Sequence, residues 1–191
     1  MRTLYDEIFN KAKKYLDTRH NEIHAKLSFG FAQRLLEYFP EADEDIVLTA
    51  IILHDVGWKT IPEKDHLKAF GPTKVDEGLR RKHELEGVQI AEQILDSIEF
   101  DKEKIQKVLE IIDGHDTDEK NAKSLNDQLV KDADKLWRFT STGIIIDCER
   151  FNFTLDGRFE YLDDHIDEWL ISSEAKVLAR EILKKSEKEL Y

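Results

Sequence analysis

Apolar residues recur at helical spacing along most of this chain. Residues 3 to 17 place Leu4, Ile8, Ala12 and Tyr15 or Leu16 on one side of a short amphipathic helix. Residues 21 to 39 repeat the pattern with Ile23, Leu27, Phe31 and Leu35, and Pro40 marks the end. His24 stands three residues before Leu27, so the same helix turns an imidazole inward. Between 43 and 55 the stripe is Val47, Ala50, Ile51 and His54; between 81 and 97 it is His83, Gly87, Ile90 and Ile94. Residues 101 to 114 give Ile105, Val108, Leu109 and Ile112, and His115 extends that stripe by a turn. From 124 to 139 it reads Leu125, Leu129, Ala133 and Leu136, with Asp132 among them. Amphipathic segments at 162 to 171 and 173 to 189 close the chain, which predicts an all-α bundle of about six to eight helices.

Two stretches depart from this period. Residues 57 to 80 are punctuated by Gly57, Pro62, Gly71, Pro72 and Gly78, which predicts a long loop acting as a lid, a binding loop or a mobile segment. Lys59, Lys64, Lys68 and Lys74 make it locally basic. The segment FNFTLDGRFEYL, 151 to 162, alternates partly around Asp156-Gly157, which predicts a small β-hairpin.

The polar residues on the apolar stripes carry the chemistry. In LTAIILHDVGWK, 48 to 59, an apolar helix ends in His54-Asp55 and breaks at Gly57. A buried ionised carboxylate costs several kcal/mol unless a cation or donors compensate it. Together with His24, His83, His115 and Asp132, the doublet makes a set of nitrogen and oxygen donors from five elements. That set suits one or two ions of Mn, Fe, Co, Ni or Zn, and suits Mg less well. Two ions would share Asp55. Each residue also has a plainer reading. An inward histidine is commonly a hydrogen-bonded core residue. His115 suits a helix C-terminus, His83 a solvated helix start, and Asp132 a pair with Lys131 or Lys135. His165, near Leu162 and Trp169, receives no role. Recurrence on five elements favours the metal reading.

The 191 residues predict one domain over 1–191, and the chain is long enough for a sizeable core. A formal charge of -12 argues against duplex nucleic acid as a partner. It admits a small phosphorylated substrate, since bound metal inverts the local charge. Cys148, the single cysteine, excludes an internal disulfide and a thiolate zinc site. The N-terminus has no apolar signal region, and no apolar run approaches the roughly 18 residues of a membrane span. These features predict a cytoplasmic protein that does not enter a membrane, and they leave a homodimer open.

The order His24, then His54-Asp55, then Asp132, with HDVGWK after the apolar helix and KDADKLWR downstream, resembles the HD superfamily of metal-dependent phosphohydrolases. The resemblance covers roughly residues 20 to 140; residues 140 to 191 carry no recognised motif. It implies a helical HD-type domain in which His24, His54, Asp55 and Asp132 bind one metal. His83 and His115 fall where two-metal members place additional histidines. The implied reaction is hydrolysis of a phosphate ester or anhydride on a small nucleotide or phosphorylated metabolite. Metal-activated water held at Asp55 would attack, with Lys59 stabilising substrate charge and Lys135 and Arg138 binding substrate. Lys59 reads equally as a solvated loop lysine, and Asp116 as a general acid or a turn cap. Val56-Gly57-Trp58-Lys59 lacks the acidic residues of nucleotide monophosphatases and stringent-response members. His115-Asp116 is not the consecutive histidine pair of cyclic-dinucleotide phosphodiesterases. Di-iron oxygenases of the myo-inositol oxygenase type use the same ligand order, and a non-catalytic metal or nucleotide sensor is a third reading.

Overall fold

The computed structural model of the chain describes residues 3–69, 75–116 and 121–191. Its centre is α3 (Glu44–Leu53), in which Ile46 to Leu53 are all buried. A helix apolar on every side cannot lie at a surface. Here α3 packs against α1 (Leu4–Leu16), α2 (Asn21–Leu36), α6 (Lys102–Ile112) and α7 (Leu125–Leu136). α5 (Glu77–Asp96) packs across the turn that follows α3. α8 (Ser141–Phe151), α9 (Leu155–Trp169) and α10 (Ser173–Leu190) form a C-terminal group that contacts α7 through α10. The described residues are all-helical, and no helix among them is long and apolar enough to cross a membrane.

Side-chain caps set most of the boundaries. Asp43, Asp76, Asp101, Ser124, Thr140 and Ser172 each accept a hydrogen bond from an amide of the first turn that follows. Thr154 does the same for α9, and this replaces the hairpin expected at 151–162. Asp156-Gly157 sits in the first turn of α9, where the Gly157 amide donates to Thr154 Oγ1 at 3.2 Å. Along α9 Leu155, Phe159, Leu162 and Ile166 pack on the core at spacings of three and four. Helical burial therefore outweighs the local Asp-Gly turn preference. α8 is a further helix that the apolar pattern did not mark.

The loop expected over 57–80 is also largely ordered. Val56–Thr60 is a 3₁₀ turn, and α4 (Glu63–Ala69) follows it. Gly71, Pro72 and Lys74 lie outside the described residues. Gly57 is there because α5 passes very close: a Cβ would come within 1.9 Å of the His83 carbonyl oxygen. That approach sets His83 beside the turn that follows Asp55.

Candidate metal centre

Two imidazoles are aimed in the same way. His54 Nδ1 donates to the Ile51 carbonyl at 2.9 Å, and His115 Nδ1 donates to the Ile112 carbonyl at 2.8 Å. A carbonyl only accepts, so Nδ1 carries a proton and Nε2 is the atom turned toward a cation, whether a second proton or a metal. His54 Nε2 lies 2.9 Å from His24 Nε2, and Asp134 Oδ1 lies 3.3 Å from His54 Nε2 and 3.2 Å from His24 Nε2. Across from them His83 Nε2 lies 3.2 Å from His115 Nε2, with Asp116 Oδ2 3.4 Å from His83.

Asp55 stands between the two groups. Its Oδ2 is 3.5 Å from His24 Nε2, while Oδ1 is 3.6 Å from His115, 3.8 Å from His54 and 3.9 Å from His83. Trp58 holds this carboxylate by donating from Nε1 to Oδ1 at 3.0 Å, and its ring stacks on His83 with centroids 4.0 Å apart. Ring nitrogens that face each other at about 3 Å repel unless a proton or cation lies between them. Two three-residue groups of nitrogen and oxygen donors with Asp55 between them fit divalent metal.

The electrostatics agree. Burial would raise Asp134, but Lys135, His24 and His54 outweigh it and hold the carboxyl well below the usual range. Asp55 follows the same logic, with burial overcome by His54, His115 and His24. Asp116 is brought down to about 2 against its burial, mainly by His115 and Lys135. All three carboxylates are thus ionised at neutral pH. Burial pulls His24 down and His83 to about 4, so both imidazoles are neutral. It would do the same to His54 and His115, but Asp55 with Asp134 raises His54, and Asp55 with Asp116 raises His115 to about 10. The added proton on His115 occupies the place at Nε2 that a metal would take.

Of the residues expected from sequence, His24, His54, Asp55, His83 and His115 converge. Asp132 does not join them. It is fully buried, but its carboxylate accepts from the Ile171 amide at 2.6 Å, the Ser172 amide at 3.0 Å and the Ser172 hydroxyl at 2.6 Å. It ties α7 to the start of α10, and Asp134 stands where Asp132 was expected. Two residues apart on a helix, the side chains differ by about 200° in direction. Apolar periodicity failed to separate them because α7 is buried on nearly every side, Asp127, Val130, Lys131 and Lys135 included.

Asp116 is the other ligand candidate the sequence reading did not select. The signal was present: His115-Asp116 repeats the His-Asp doublet. Its amide donates to the fully buried Glu84 at 3.0 Å, which fixes the turn. Lys59 is exposed and donates to the Asp17 carbonyl at 2.8 Å. Lys135 Nζ lies 3.2 Å from Asp134 and 3.9 Å from Asp116. Arg138 Nη1 lies 3.3 Å from Asp147.

His24, Asp55, Asp116 and Asp134 open onto a cavity of about 250 Å³, which Lys135 and Arg138 also line. Its far wall comes from α8 and α9, outside the region of the sequence motif. The family model described as HD domain matches residues 21–138. No curated protein and no solved structure matches the chain. With more than half of its length matched, and with the histidines and aspartates of the motif brought to one centre, the chain belongs to the HD domain family of metal-dependent phosphohydrolases.

Proposed function

We propose that this protein is a metal-dependent hydrolase of a phosphate ester or anhydride, acting on a small nucleotide or phosphorylated metabolite. One observation carries this reading: two ligand groups lie on either side of Asp55 and open onto a cavity that Lys135 and several arginines also line. His24, His54 and Asp134 would hold one ion, and His83, His115 and Asp116 the other, with Asp55 between them. Bound divalent metal supplies a polarised phosphoryl oxygen and a water of lowered pKa.

The chain's own residues supply the rest. Trp58 keeps Asp55 oriented through its indole N–H. The carbonyls of Ile51 and Ile112 fix the tautomers of His54 and His115. Lys135, beside Asp134 and Asp116 and lining the cavity, is placed to offset charge on a phosphoryl group. Phe153, Tyr161 and Trp169 also line the cavity and give flat surfaces on which a nucleotide base could stack.

The test is elemental analysis of protein purified without chelator, followed by a panel of nucleotides and phosphate esters assayed with the metal found. Turnover abolished by Asp134→Asn and His54→Ala is the expected result. Oxygen consumption by the reduced di-iron form without phosphate release would overturn hydrolysis in favour of dioxygen chemistry. Metal binding with neither activity would leave a sensor.

A further inference from the structure

A histidine that points one ring nitrogen at an ion is ordinarily held by a hydrogen bond at the other. His54 and His115 have that bond, to the Ile51 and Ile112 carbonyls, and His24 Nδ1 lies 3.4 Å from the Ser28 hydroxyl. His83 differs. It is fully buried, and among the described residues its Nδ1 has no hydrogen-bond partner. Something other than a hydrogen bond must fix the plane of this imidazole.

Trp58 does so. The His83 and Trp58 rings stack with centroids 4.0 Å apart and planes 15° from parallel. Rotation of the imidazole out of that plane gives up the stacked face, so Nε2 is kept toward His115 Nε2 at 3.2 Å and Asp55 Oδ1 at 3.9 Å. The indole is itself pinned. It is buried in a small apolar cluster with Ile61 and Ala69, apart from the main core. The Arg19 guanidinium lies 4.3 Å over it, and His66 meets it edge-on at 5.3 Å.

The backbone follows the same plan. At Gly57 a Cβ would meet the His83 carbonyl oxygen at 1.9 Å and the Gly87 amide nitrogen at 2.6 Å. The turn after His54-Asp55 therefore sets where His83 stands as well as how its ring faces. The same turn sends the Trp58 indole N–H to Asp55 Oδ1 at 3.0 Å, the oxygen nearer His115 and His83. On the other side the supports are different: Ile51 for His54, Ser28 for His24 and Lys135, 3.2 Å away, for Asp134.

We propose that Trp58 is the positioning residue for the ion held by His83, His115 and Asp116, so that the affinity of this second site depends on Trp58 far more than that of the site at His24, His54 and Asp134. The proposal rests on the two-ion arrangement given above and is independent of the reaction catalysed.

The experiment titrates metal-free full-length protein with cobalt(II), followed by calorimetry and visible absorption. Wild type should take up two ions. Trp58→Phe keeps a ring against His83 and loses the donor to Asp55; Trp58→Leu loses both. The second ion should weaken by about tenfold in the Phe variant and further in the Leu variant, with the first ion within about threefold in each. An unchanged second affinity, or equal weakening of both ions, overturns the proposal. Melts of the metal-free variants run alongside, and lower stability with the second affinity intact also overturns it, since that is a packing role alone. Should neither variant fold, the benzothiophene isostere of tryptophan at position 58 carries the test, because it keeps the stacked face and lacks only the N–H; wild-type affinity there overturns the proposal. Uptake of one ion by wild type would refute the two-ion arrangement and this proposal with it. Selective loss of the second ion in a protein that releases no phosphate would refute hydrolysis and leave the role of Trp58 standing.

Discussion

Replacing the two aspartates of α7 one at a time separates a structural carboxylate from a ligand. In Asp132→Asn the side chain keeps its shape and one acceptor, but an amide N–H₂ now faces either the Ile171 or the Ser172 amide. A buried backbone donor is left without its acceptor, at a cost of about 1–3 kcal/mol. Burial, which raises the Asp132 carboxyl above its ordinary value, takes back part of that, because asparagine has no charge to desolvate. A net loss of about 2 kcal/mol remains, and for a chain of this length that lowers Tm by about 6 °C. Metal content should stay at the wild-type value. Asp134→Asn should do the reverse, removing the oxygen that lies 3.2 Å from His24 and 3.3 Å from His54, and with it one ion per chain. Elemental analysis after gel filtration and melting in the presence of chelator read the two quantities independently. If Asp132→Asn loses metal while Asp134→Asn keeps it, the assignment of α7 residues to the site is wrong.

Three further outcomes follow from the same geometry. His83→Ala combined with His115→Ala should reduce metal content to about one ion per chain, since His24, His54, Asp55 and Asp134 remain together; full retention in elemental analysis would refute a second site at His83 and His115. Gly57→Ala forces a methyl to within 1.9 Å of the His83 carbonyl, so α5 or the turn must shift; a stability loss of about 1–3 kcal/mol in denaturant melts and a weaker second ion are expected, and wild-type behaviour would refute the close approach. His115, held at about 10 by Asp55 and Asp116, is protonated in the metal-free protein at neutral pH, whereas His83 at about 4 is not. Loading the second site at pH 7.5 should therefore release about one proton, and its affinity should rise with pH. Calorimetry in buffers of different ionisation enthalpy measures this, and a release of none would show that His115 is already neutral. By the same sign, the raised His115 stabilises the metal-free fold fully below its unfolded value of about 6.5, and that contribution fades as pH rises through about 10.

The sequence by itself determined the helical class and most of the ligand elements. A helix whose last eight residues, Ile46 to Leu53, are apolar apart from Thr49 can only be central, so His54 and Asp55 at its end had to be buried. His24, His83 and His115 shared stripes with residues that now lie in or against the core, and a stripe faces inward whatever its partners are. Family membership was legible for the same reason, because the motif is a local pattern on α2, α3 and α7.

Other features needed the tertiary structure. Asp132 and Asp134 are both buried on a helix surrounded by neighbours, so burial cannot choose between them. The choice is made by what lies opposite each one: the Ile171 and Ser172 amides for Asp132, and two imidazoles for Asp134. The Asp156-Gly157 turn lost to a Thr154 cap and a core-facing stripe on α9, since packing an apolar face outweighs a local turn preference of a few tenths of a kcal/mol. Arg19 lines the cavity together with Arg138, Arg150 and Arg158, more than a hundred residues downstream. No periodicity links positions so distant, and Asp147, which pairs with the last three, was not a residue that the apolar pattern could select. Only the packing of α8 and α9 against the bundle brings those charges to one place, because long-range electrostatic neighbours are set by topology and not by spacing along the chain.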